Sequence, residues 1–225
     1  GRLLVSSSFD RTVRLWDVAR RRPLGSPLRL TAGVRSMAIS PDGQLLAGGL
    51  LDGTLELWNL TARRLLATTK AHTALIRGVS FSPDGQLLVT ASGDGTLKLW
   101  SLPACRMIGG FTSRDPQTIG LDAAAFAPDG ELVAFVTDDG AITLWDAATE
   151  QVQTTFQGFT SLCWNVAFSP DGASLAAGSF GGGLRVWDLR APGARPQLAA
   201  DVAAHSGSVF GLAFSLDGTR VATAG

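Results

Sequence analysis

A hydroxyl, an imidazole and a carboxylate stand within one stretch of the chain: Thr90, His72 and Asp94, with the indole of Trp100 just beyond. Those side-chain types are the working parts of a nucleophilic triad, in which the imidazole takes the hydroxyl proton and the carboxylate orients the ring. The neighbouring sequence argues against that use. It supplies no strand-to-helix elbow for a nucleophile and no oxyanion-hole loop. No glycine-rich loop followed by Lys and Ser or Thr is present to cradle a phosphate. The chain has two histidines, His72 and His205, and two cysteines, Cys105 and Cys163, too few for a zinc cage or a disulfide framework. Whether the set at 72–100 reacts or braces depends on the elements that carry it.

Composition narrows the options. The chain has 225 residues, with 19 basic and 19 acidic side chains and no formal net charge. A protein that sheathes nucleic acid carries a basic excess, so nucleic acid is not an expected partner. An apolar content of 45% is far from the profile of disorder. The uninterrupted apolar stretches are much shorter than a bilayer requires, and no membrane segment is expected. All but two of the basic residues are Arg, which suggests a GC-rich, bacterial coding source. The first residue is Gly1 rather than Met.

The elements emerge from a repeat. Tryptophans fall at 16, 58, 100, 145 and 187, spaced by 42, 42, 45 and 42 residues. A second marker keeps step: Ser40-Pro41-Asp42-Gly43, Ser82-Pro83-Asp84-Gly85, Ala127-Pro128-Asp129-Gly130, Ser169-Pro170-Asp171-Gly172 and Ser215-Leu216-Asp217-Gly218. Proline presets φ at a turn's first corner, Asp suits the second and Gly ends it. The run after it, such as Gln86 to Ala91, reads as a short strand. Asp94-Gly95 makes a second turn, and Thr96 to Trp100 alternates as a strand does. Four short strands in about 42 residues, separated by turns, are the pattern of one propeller blade.

The tryptophan is followed by Asp in Leu15-Trp16-Asp17, Leu144-Trp145-Asp146 and Val186-Trp187-Asp188, and by Asn59 and Ser101 in the relaxed copies. Ala71-His72 and Ala204-His205 stand where a Gly-His pair would begin a repeat. On these residues the chain resembles the WD-repeat β-propeller family. The resemblance implies an all-β fold of four-stranded antiparallel blades: a partial blade over 1–30, blades over approximately 31–72, 73–117, 118–159 and 160–204, and a partial blade over 205–225. That layout predicts about 21 strands, fewer than a closed seven-bladed ring needs, so the chain is expected to be a fragment of a larger protein. It also implies that His72, Thr90, Asp94 and Trp100 form a hydrogen-bonded structural set within one blade. Equivalent positions elsewhere are incomplete: Gly48 and Phe135 replace the hydroxyl, and Phe159 and Gly181 replace the histidine and aspartate. A catalytic group is not expected to come and go among equivalent blades, so no catalytic residue is expected.

Function is then expected on a surface. Aligning the inner strands gives the column Arg35, Arg77, Asp122, Trp164 and Phe210, which the resemblance places near the channel rim on a partner-binding face. A neighbouring turn column contains Phe9, Leu51 and Phe180, together with Gly93 and Asp138. Exposed aromatics and Arg are common anchors of protein interfaces, although Trp164 and Phe210 packed between blades would be the plainer outcome. Arg35 and Arg77 suit an acidic or phosphorylated peptide. Extra residues at 112–120 and 189–204 are further candidate contact loops. Trp187-Asp188-Leu189-Arg190 resembles an adaptor-binding box, but four residues inside a repeat that already supplies Trp-Asp carry little weight. The expected function is a non-enzymatic scaffold that binds a protein or peptide through the propeller rim. The alternative is a sensor propeller fused to a kinase or nucleotide-hydrolysing domain. No cofactor, metal or small-molecule substrate is expected, and a cytoplasmic location is favoured.

Overall fold

In a computed structural model of the chain, residues 3–113, 120–190 and 195–225 are described. Both candidate contact loops, at 112–120 and 189–204, lie partly outside these residues.

Each Ser-Pro-Asp-Gly segment closes on its own side chains. The Ser40 hydroxyl donates to Asp42 at 2.5 Å, Asp42 accepts the Gln44 N–H at 3.0 Å, and the Gly43 N–H reaches the Ser40 carbonyl at 2.8 Å. The same pattern recurs at Ser82–Asp84, Ser169–Asp171 and Ser215–Asp217. Hydroxyl and amide donors stabilise the carboxylate form, so these four turn aspartates are held below the ordinary carboxylate range, Asp217 to about 2. Ala127 removes the hydroxyl from the remaining copy, which keeps its turn through the Gly130 N–H to the Ala127 carbonyl at 3.0 Å.

Turn by turn, the chain lays down antiparallel sheets in sequence order. The first sheet contains β1 (Leu3–Ser7), β2 (Thr12–Asp17), β3 (Arg22–Pro23) and β4 (Leu28–Arg29). The second runs β5 (Val34–Ile39), β6 (Leu45–Leu50), β7 (Thr54–Asn59) and β8 (Arg64–Lys70). The third runs β9 (Ile76–Phe81), β10 (Leu87–Ser92), β11 (Thr96–Ser101) and β12 (Arg106–Thr112). The fourth runs β13 (Leu121–Phe126), β14 (Leu132–Thr137), β15 (Ala141–Asp146) and β16 (Gln151–Gln157). The fifth runs β17 (Cys163–Phe168), β18 (Ser174–Ser179), β19 (Gly183–Asp188) and β20 (Gln197–Ala203), and β21 (Gly211–Phe214) with β22 (Val221–Ala224) make a two-stranded sixth. These are propeller blades, and the array of sheets is not closed into a ring. Among the described residues there is no helix.

Among the described residues the strands exceed the expected 21 by one, because the outer strand of the first sheet is broken. β3 and β4 both pair with β2, and Leu24 to Pro27 bulge out between them. Gly25 there has φ +64°, and Pro27 has no N–H to give to a ladder. Arg63 of the second sheet holds the excursion, donating to the carbonyls of Leu24 and Ser26.

Apolar residues pack between sheets, in four separate clusters that each draw on two neighbours. One joins Val13 and Leu15 to Leu46 and Leu50; the next joins Leu55 and Leu57 to Ile76 and Leu88. Then Val89 and Leu97 meet Val133 and Phe135, and Ile142 and Val136 meet Leu175 and Trp187. The inner strands approach closely around the axis. A Cβ on Gly78 of β9 would come within 2.7 Å of the Ala124 backbone nitrogen of β13, so only glycine fits.

The second turn of each blade places a residue in the left-handed region. Gly53, Gly95, Gly140 and Gly182 fill it with φ between +79° and +83°, but the first sheet has Arg11 at φ +69°. A side chain there is strained by about 1–2 kcal/mol. Arg11→Gly is therefore expected to raise stability by about 1 kcal/mol, after allowing for the freer unfolded chain. Chemical denaturation checks this; an equal or lower midpoint would show that Arg11 carries no strain.

Candidate functional site

The third sheet brings the four residues at 72–100 together. His72 lies on the connection between β8 and β9, Thr90 on β10, Asp94 in the β10–β11 turn and Trp100 on β11. The Trp100 N–H donates to Thr90 Oγ1 at 3.0 Å, and that oxygen lies 2.7 Å from His72 Nε2. His72 Nδ1 lies 3.1 Å from Asp94 Oδ2. Two members were not legible as such: Thr96 donates to Asp94 Oδ1 at 2.6 Å, and the Thr73 N–H donates to Oδ2 at 2.9 Å. Burial lowers the pKa of His72 even though Asp94 opposes the shift. Burial also works against the Asp94 charge, but the donors Thr96 and Thr73, with His72, outweigh it and bring Asp94 down to about 2. Neutral His72 then donates through Nδ1 and accepts the Thr90 hydroxyl at Nε2. Thr90 is fully buried, and its oxygen is already engaged by an indole and an imidazole. The arrangement ties β10 and β11 to the connection leading into β9 and presents no hydroxyl to a substrate.

The inner-strand column shares a backbone feature that the alignment did not reveal. The ladder skips one residue at the start of each complete inner strand. β5 and β6 pair Val34 with Leu50 and Ser36 with Gly49, passing over Arg35. The same bulge passes over Arg77, Asp122 and Trp164. A bulge leaves its extra residue unpaired and re-aims it, here at the rim where the turn column also lies: the Leu51 and Phe180 N–H groups bond the carbonyls of Gly33 and Leu162, just before those bulges.

The column is divided in what it does. Arg77 donates to Asp122 at 2.6 Å and to Asp138 at 2.8 Å, tying the third sheet to the fourth. Asp122 does not reach the surface: its carboxylate is fully buried, with Oδ2 unpartnered among the described residues. Burial pushes Asp122 up to about 6; Arg77 opposes that shift, and nearby Asp138 adds to it. Trp164 meets the neighbouring blade through Phe210 and also carries contacts at the rim. It has Phe180 and Phe210 against it, ring centroids 6.4 and 6.2 Å away, and the Arg35 guanidinium over its face at 5.4 Å. Phe9, Phe180 and Phe210 are 66%, 54% and 65% exposed, and Leu51 is 42% exposed. Cys163, beside Trp164, is a fully buried thiol pushed up to about 12 by that burial.

The sequence pattern described as "WD domain, G-beta repeat" matches residues 1–17, 25–59, 63–101, 150–188 and 197–225. The chain belongs to the WD-repeat family. Residues 102–149 fall outside the matched segments, yet β13, β14 and β15 within them pair as the strands of the other complete WD-repeat sheets do. The chain is also similar to the Periodic tryptophan protein 2 homolog of Schizosaccharomyces pombe, 46% identical over 44 residues. That segment is 20% of this chain and 5% of the relative's length.

The WD dipeptide performs two tasks. The Trp N–H braces the blade, and the Asp caps the next turn. Asp17 accepts the Arg20 N–H at 2.9 Å, Asn59 that of Ala62 at 2.6 Å and Asp146 that of Thr149 at 2.8 Å. The Trp partner varies from blade to blade. Trp16 donates to Ser6 at 2.9 Å. In the second sheet Gly48 offers no oxygen, and Glu56 takes over: fully buried, it accepts Trp58 Nε1 at 2.8 Å and the Thr31 hydroxyl and N–H at 2.6 and 2.9 Å. Trp145, facing Phe135, has no partner among the described residues. Trp187 sits between Phe156 and Phe159 instead. His205 and Thr223 meet at 2.9 Å in the sixth.

Two outcomes test these assignments. His72→Ala leaves the buried Thr90 hydroxyl proton without its acceptor and is expected to cost about 1–3 kcal/mol in denaturant unfolding; a neutral result would show the set to be dispensable. For Asp122 the folded pKa lies above the ordinary value. Its stabilising contribution is therefore present below about pH 4 and lost as pH rises through about 6. Between pH 7.5 and pH 5 the native chain should gain stability relative to Asp122→Asn. A difference that stays flat with pH would refute the assignment.

Proposed function

We propose that the chain is a non-enzymatic interaction scaffold that captures a protein or peptide on the rim carrying the bulge and turn columns. WD-repeat domains generally mediate protein–protein interaction, and the reading adds the face and the residues. The observation that supports it most directly is the exposure of Phe9, Leu51, Phe180 and Phe210 on one rim, with Trp164 between the last two. Large apolar side chains at protein-facing positions bring most of an interface's energy when water is excluded around them. Arg77 and Asp122 serve as positioning residues beneath that surface, since their charges are spent on each other and on Asp138. Arg35 remains at the channel mouth as a contact residue. The single-residue bulges suit this role, because they turn one side chain per blade toward the rim without disturbing the rest of the ladder.

The test is a comparison of faces. Phe180→Ala with Phe210→Ala removes two exposed rings and should leave the melting temperature nearly unchanged. Capture of partners from source-cell extract should fall by about tenfold, since hot-spot truncations cost about 2 kcal/mol or more. Met107→Ser with Val152→Ser, on outer strands β12 and β16, should leave capture intact. Loss of capture in the outer-strand pair and not in the rim pair would move the binding surface away from the rim.

A further inference from the structure

Inner strands β5, β9, β13 and β17 line a channel-like cavity of about 350 Å³, and Arg35, Arg77 and Trp164 of the bulge column are among its walls. That volume is within the range of small-ligand sites. Among its lining residues are Arg35, Arg77, Ser36, Trp164 and Asn165, and no carboxylate lines it. Arg77 and Asn165 are already engaged. The Arg77 charge is matched by Asp122 and Asp138 from behind the wall. The Asn165 amide donates to the Phe210 carbonyl at 2.5 Å. Arg35 is different. It reaches across the channel from β5 to the face of Trp164 in β17, at 5.4 Å, and among the described residues it has no hydrogen bond and no ion pair. The indole N–H of the same Trp164 is buried without an acceptor. Among the described residues the wall therefore holds one cation with no ion-pair partner, and no carboxylate lines the cavity beside it.

We propose that this channel mouth is an anion site, in which Arg35 binds a carboxylate or phosphate group and the Trp164 ring holds the guanidinium in place. Stacking on an aromatic face leaves the planar fork of a guanidinium free at its edge, and that edge matches a carboxylate or phosphate through two parallel N–H bonds. A short polar channel with a single free Arg suits a small group of one or two phosphates or carboxylates, not a long polyanion. The anion comes either as a free small molecule or as an acidic side chain of a bound peptide; both present the same oxygens to Arg35. A free small anion occupies this site whether or not the rim docks a partner, whereas the peptide form rests on the proposed rim function.

The experiment uses the full chain and two probes, at constant ionic strength because exposed charge pairs are screened by salt. Inorganic pyrophosphate and a short peptide with consecutive glutamates are titrated calorimetrically into the native protein, Arg35→Gln and Arg35→Lys. Saturable binding is expected for at least one probe, weakened at least about tenfold by Arg35→Gln and less by Arg35→Lys, which keeps the charge and loses the fork. Trp164→Phe should retain most of it, since the ring remains. Pyrophosphate binding that the peptide does not displace identifies a free small anion. Displacement by the peptide, or binding of the peptide alone, identifies an acidic side chain. Binding that is absent for both probes, or equal in Arg35→Gln with its melting temperature unchanged, overturns the proposal. The rim variants Phe180→Ala and Phe210→Ala serve as the separate control: lost capture with intact pyrophosphate binding confines failure or success to one surface at a time.

Discussion

A four-stranded sheet with apolar side chains on both faces can bury neither face by itself. That constraint governs this molecule. Leu55 and Leu57 on one side of a strand pair, and Leu46 and Leu50 on the other, leave water only when another sheet lies over each. Stacking brings the inner strands to within a backbone's width of each other, and glycine at 78 follows from that approach. It also buries the polar edge of every blade. Buried polar groups there need partners: His72 and Thr90 find theirs within one sheet, and Arg77 and Asp122 find theirs across two.

The same stacking separates structural chemistry from surface chemistry. His72, Thr90 and Asp94 are the side chains most suggestive of reaction, and they are consumed inside a blade. The groups that remain available belong to the bulges. A ladder that skips one residue in each inner strand costs a little pairing and in return frees a side chain at the rim. In two sheets that side chain is turned to internal use, as Arg77 and Asp122 bind one another across the gap between β9 and β13. In the other two it is an Arg and a Trp that meet across the channel. One backbone device thus yields both a strut and a recognition group, and the identity of the side chain decides which.

The fold was legible because its signals are local and periodic. Trp58, Trp100 and the Pro-Asp-Gly turns announce strands and hairpins within a dozen residues of themselves, and the structure follows them closely. The break between β3 and β4 was marked by Gly25 and Pro27, but the period absorbed it because spacing counts residues and not pairing. Glu56 escaped notice because its role replaces Gly48 and a histidine through space, from the opposite strand of the hairpin. The bulge column was found as an alignment, yet its chemistry was not, since Arg77 meets Asp138 sixty-one residues away and Arg35 meets Trp164 across the ring. Contacts made between separate sheets leave no mark at short range.

Each apolar cluster belongs to two adjacent sheets and to no third. Damage in one blade is therefore insulated from blades further along. One module can therefore do without a polar brace, as the sheet around Trp145 and Phe135 does, and keep its shape from the hydrocarbon on either side. The repeat pattern passes over 102–149, and the backbone there pairs like its neighbours all the same.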